Sequence, residues 1–201
     1  MQHSQQTLIE MSEALEYEIV MLYSTAAYIH AKVVDQALKD REDEGLIARN
    51  AMVESFGLHA RVLADFLYEK PSKDETNAAS YIPGWKKNRP DGLNAEMIRA
   101  NKTIAHLTTR RAGPDATAYK QWNYTALVDL LRPHLLAFAR EVADSLVHAE
   151  FKGSVIAAIE AEQQGRTTKP DRLSGIPPSL ITAMSVPVSG GTATQMYRPK
   201  P

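Results

Sequence analysis

Leu8, Met11, Leu15, Ile19, Leu22, Ala26, Ile29 and Val33 follow one another in steps of three and four without a miss. At about 100° of rotation per residue, that stepping gathers them on one side of an α-helix. A long helix with such a stripe has to bury it against something, and the rest of the chain supplies more of the same pattern.

The first helix is predicted from about Ser4 to Lys39. The acidic run Asp40 to Glu44, with Gly45, reads as a loop. A second helix is expected from Leu46 to Tyr68, with Met52, Phe56, Leu63 and Phe66 on one side. It stops short of Pro71, because the residue before a proline is pushed out of helical geometry. Residues 71–92 read as a long connection. Pro71, Pro83-Gly84 and Pro90-Asp91-Gly92 punctuate it, and Tyr81 and Trp85 are expected to pin it to the body. The third helix is predicted from Asn94, as its N-cap, to Arg110, ahead of Gly113-Pro114. A fourth helical region spans about Asp115 to Gln164 and contains Pro133, where a kink or break is expected. Leu135, Phe138, Val142, Leu146 and Ala149 carry its apolar face onward.

These elements imply an all-α fold: a four-helix bundle over residues 1–164, with a kinked or split last helix. Residues 165–201 read as a separate Pro/Gly-rich tail. It holds six of the eleven prolines, four of the ten glycines and a single acidic residue, Asp171. Such a segment has little to bury and is expected to form little regular structure. Its apolar stretch from Ile176 to Val188 is the part suited to docking on the body or on a partner.

Composition narrows the function classes. The chain has no cysteine, which removes disulfides and thiolate metal sites. A formal net charge of −1 argues against binding nucleic acid by bulk charge alone. The start Met1-Gln2-His3-Ser4 lacks a basic region followed by an apolar core, so no signal peptide is expected. No run approaches roughly 18 uncharged apolar residues, so no membrane span is expected either, and a cytoplasmic location is the default.

The near-neutral total conceals two opposed regions. Between Gly84 and Arg111 there are seven basic residues and two acids; residues 1–45 carry nine acids and three bases. On a helical wheel of the third helix, Leu93, Met97, Ala100, Ile104 and Leu107 form the core stripe. Arg99, Thr103, His106 and Arg110, at i, i+4, i+7 and i+11, line an outward ridge with Lys102 beside it. A cationic ridge with one titratable imidazole suits an anionic ligand such as a phosphodiester. The solvated side of any bundle helix carries the same residue types, so the ridge admits both readings.

On the second helix, Asn50, Glu54, Arg61 and Asp65 form a polar stripe opposite Met52, Phe56, Leu63 and Phe66. It reads as a solvated face laced by Arg61–Asp65 and Arg61–Glu54 pairs, or as support for a site. His59 falls among the apolar residues and reads as a buried imidazole with one satisfied hydrogen bond. A ferritin-like di-metal centre would need inward carboxylates with Glu-x-x-His on two helices. Glu54 and His59 are five apart, and His148 is followed by Glu150 two places on. Neither is that motif, and no metal or other cofactor is expected.

Two segments, Arg49 to Tyr68 and Arg99 to Leu107, resemble bacterial proteins of the HEPN superfamily (higher eukaryotes and prokaryotes nucleotide-binding). The resemblance covers residues 5–150 or so and leaves out the tail. Its signature is an Arg, four to six intervening residues, then a His on the third helix of a four-helix bundle. Arg99 and His106, with six residues between them, match it; the residue after the arginine is often polar in active members, and here it is Ala100.

The resemblance implies metal-independent endoribonuclease activity of HEPN type, as in toxins or defence components, with Arg99 and His106 catalytic. Lys102, Thr103 and Arg110 would then bind nucleic acid, and Asn101, Glu54, His59 and Arg61 would support the site. A homodimer is expected, because the motif supplies one imidazole per chain and strand cleavage needs both a base and an acid. The alternative is a non-catalytic bundle that binds a nucleotide or RNA, or docks on a protein such as an antitoxin partner.

Overall fold

A computed structural model describes residues 3–32, 35, 38–71, 75–100 and 123–167, giving backbone only at 42, 99, 100 and 167. The described residues form an all-α helical bundle: α1 Gln5–His30, α2 Glu42–Tyr68, α3 Ala78–Tyr81, α4 Leu93–Ala100, α5 Tyr124–Glu141 and α6 Phe151–Thr167. A single 3₁₀ turn, Asp144–Leu146, lies between α5 and α6. The chain divides after Asp171, and the unit beyond it lies outside the described residues.

Helix α1 is the most widely packed element among the described residues, lying along both α2 and α6. Ser4 caps it, its hydroxyl accepting the Thr7 amide at 3.1 Å. Leu8, Leu15, Ile19, Leu22 and Ala26 are buried as the stripe requires. Met11, a member of the same stripe, is 40% exposed. The core-facing place beside it belongs to Ser12, fully buried, which donates to Ile9 O at 2.6 Å and accepts the His148 amide at 3.0 Å. A hydroxyl is what the crossing chain needs there, and apolar periodicity cannot show that need.

The expected first helix ends early. Helix α1 closes at His30, and Lys32 takes the left-handed φ of 50° that often terminates a helix. The second helix starts at Glu42 rather than Leu46, so Glu42 to Glu44, the end of the acidic run, form its first turn, while Asp40 and Arg41 stay outside it. Acidic groups such as Asp43 and Glu44 complement the positive end of a helix. Gly45 is helical, and a Cβ on it would lie 3.4 Å from Leu38 Cβ.

The 71–92 connection is tied down as its aromatics imply. Tyr81 donates to Leu8 O at 3.0 Å, and Trp85 Nε1 donates to Leu67 O at 3.1 Å. Gly84 and Gly92, with φ of 83° and 88°, supply the turns after Pro83 and Pro90. Helix α4 begins at Leu93, one residue before the expected cap. Asn94 accepts from Arg89 Nη1 at 2.8 Å instead.

Pro133 does not divide the fourth region. Helix α5 runs through it, since Pro133 and Asp129, whose carbonyl loses its partner, are both exposed to water. Meanwhile Leu127, Val128, Leu131, Leu135 and Phe138 hold the opposite face in the core. The split comes later, at Val142, and α6 resumes at Phe151 and passes through Gly165 to Thr167. Phe138 is the aromatic hub, edge-on to Phe66, Tyr81, Trp85 and Phe151 at centroid distances of 5.0 to 6.2 Å.

Candidate functional site

The Arg99–His106 ridge is described only at its first residue. Arg99 lies in α4, with its backbone alone described, and Asn101, Lys102, Thr103, His106 and Arg110 lie outside the described residues. Ahead of it, Leu93 and Met97 are buried, which is the phase of the stripe from which the ridge was drawn. Ile98, off that stripe, is 50% exposed.

The supporting candidates on α2 are all described, and they separate. Glu54 and Arg61 are exposed, with Arg61 Nε 3.7 Å from Asp65 Oδ2. This is the solvated face, and its pair contributes little to stability. His59 turns inward, 5% exposed, and its Nδ1 lies 2.7 Å from Glu18 Oε2. Tyr17 packs edge-on against the imidazole at 5.7 Å. A second imidazole–carboxylate couple lies elsewhere on α1, where His148 Nε2 is 2.5 Å from Glu16 Oε2.

Two further polar clusters join residues far apart in sequence. The first lies between α5 and α6. Glu162, only 2% exposed at its side chain, accepts from Arg132 Nη2 at 2.7 Å and from Arg166 Nε. Asp129 accepts from both arginines, at 3.1 Å and 3.0 Å. The Arg132 guanidinium also lies over the ring of Tyr23, whose hydroxyl titrates far above the usual phenol range because it is buried. Glu162 and Asp129 tie both arginines together, with only Arg166 Nη2 of this cluster buried without a partner, so the cluster acts as a structural clamp.

The second cluster is less complete. Tyr68, the last residue of α2, meets His134 of α5 edge-on at 5.4 Å. Tyr68 Oη and His134 Nδ1 are both shut off from solvent without a hydrogen-bond partner. Arg89 covers the Tyr68 ring at 5.7 Å, and Lys87 lies over Trp85 at 4.8 Å. Burial, and then the Lys87 charge, lowers the His134 pKa below the usual imidazole value. Nothing in the periodicity marks this group, since its members come from a helix end, a loop and a helix middle.

Among the described residues, no three His, Asp or Glu side chains are grouped so as to hold a metal ion. No described helix is long and apolar enough to cross a membrane. Comparison with family models, curated proteins and solved structures returns no match.

Proposed function

We propose that the chain is a metal-independent endoribonuclease of HEPN type, working as a homodimer with Arg99 and His106 as its reacting pair. The observation that carries this reading is the Arg–His spacing beginning on α4, a helix packed on α2 and α5 of an all-α bundle. The basic run from Lys86 to Arg111 supports it by supplying countercharge for a phosphodiester.

The chemistry asks for few groups. A base removes the proton of the 2′-hydroxyl, whose oxygen attacks phosphorus. The 5′-oxygen leaves and takes a proton from an acid, giving a 2′,3′-cyclic phosphate and a 5′-hydroxyl. His106 of one copy serves as base and that of the other as acid. Arg99 neutralises the charge that grows on the non-bridging oxygens, and its planar fork suits a bidentate contact. Lys102, Thr103 and Arg110 hold flanking phosphates.

The test is incubation of the purified protein with structured RNA, with and without EDTA. Cutting that resists EDTA and leaves 2′,3′-cyclic ends supports the nuclease. RNA retained but uncut turns the reading to a non-catalytic binding bundle.

A further inference from the structure

The niche between Tyr68 and His134 is incomplete in a specific way. Buried polar atoms in folded chains nearly always have partners, so two orphans in one place point to an occupant that supplies them. Tyr68 offers an O–H, and His134 offers an N–H at Nδ1 in one neutral tautomer and in the imidazolium. Lys87 and Arg89, the cations beside them, offer only donors. The complement to four donors is an anion with several acceptor oxygens.

A water molecule would satisfy the two orphans without drawing on either cation. Lys87 and Arg89 currently face Glu141 at 3.5 Å and Glu69 at 2.7 Å. Both carboxylates are about half exposed, at 49% and 57%, so these contacts are screened by solvent and can be exchanged. Arg89 is held at Nη1 by Asn94 and at Nη2 by Glu69, with Asp65 at 3.9 Å, so an incoming anion would take the place of the exposed Glu69 carboxylate at Nη2.

We infer that this niche binds a phosphate group, with Tyr68 Oη and His134 donating to its oxygens and Lys87 and Arg89 balancing its charge. A nucleotide and an RNA backbone share that chemistry. The inference uses none of the Arg99–His106 residues, so it stands or falls separately from the nuclease reading.

The experiment is a histidine-ring ¹⁵N NMR titration of the full chain with inorganic phosphate, using chloride at matched ionic strength as control. Phosphate should saturably raise the His134 pKa, because a bound dianion favours the imidazolium. Tyr68→Phe keeps the ring packing and should weaken phosphate binding by about tenfold, as loss of a charge-assisted hydrogen bond does. Lys87→Ala should weaken it as well. A nucleoside 5′-monophosphate that binds more tightly than inorganic phosphate identifies a nucleotide site. Tighter binding of an RNA oligomer lacking terminal phosphate identifies a backbone site. If neither compound nor phosphate moves His134 beyond the chloride control, the inference is overturned. The same holds if the response is unchanged in both Tyr68→Phe and Lys87→Ala.

Discussion

His59 owes its place to two features read at different distances. The apolar stripe of α2 carries it inward, and Glu18, 41 residues away in sequence, meets its Nδ1. The burial was legible from the stripe; the partner was not, because periodicity on one helix says nothing about which residue of another faces it. Glu18→Leu should leave the imidazole short of a partner and cost about 1–3 kcal/mol in urea unfolding, with Glu18→Gln costing less. Equal losses in the two variants would show that the contact is not a hydrogen bond. Tyr68 and His134 were invisible for the same reason, since their cluster exists only once α2 and α5 are packed. His134 has its pKa lowered in the folded chain by burial and by Lys87. The unfolded chain therefore takes up this proton first as pH falls below 6.5, so stability declines from there down to the lowered folded value. In phosphate-free buffer His134→Gln should reduce that decline, read as unfolding midpoints at about pH 7.5 and about pH 5.5. An identical decline in the variant would place the proton uptake on another group.

At the scale of elements, the middles were readable and the ends were not. Phe56, Leu63 and Leu135 announce their buried faces through spacing, whereas Lys32, Glu42 and Leu93 sit where local capping and neighbouring chain decide the boundary. Pro133 illustrates the limit: its cost depends on whether the orphaned carbonyl faces water, which is a tertiary fact. The attachment of α6 is likewise tertiary, resting on Glu162 between Arg132 and Arg166. Removing a buried ion pair's shared carboxylate strands the cations, so Glu162→Ala should destabilise by about 3–5 kcal/mol. The exposed Glu160→Ala on the same helix should stay within about 0.5 kcal/mol. Comparable losses from the two would contradict the clamp. Phe138→Ala, which empties the aromatic hub, should cost about 3–5 kcal/mol by the same assay.

For the whole molecule, the all-α bundle was legible from three-and-four spacing alone, whereas the proposed chemistry rests on a spacing, Arg99 to His106. A dimer is expected by light scattering at micromolar protein, because the motif's one imidazole per chain cannot be both base and acid. The most direct test compares the parent with His106→Ala on structured RNA in EDTA, measuring cleavage rate and RNA affinity side by side. Losing a general acid–base group should lower the rate by about 10²- to 10⁴-fold while affinity is nearly unchanged. Cutting by the His106→Ala protein at the parent's rate would contradict the account.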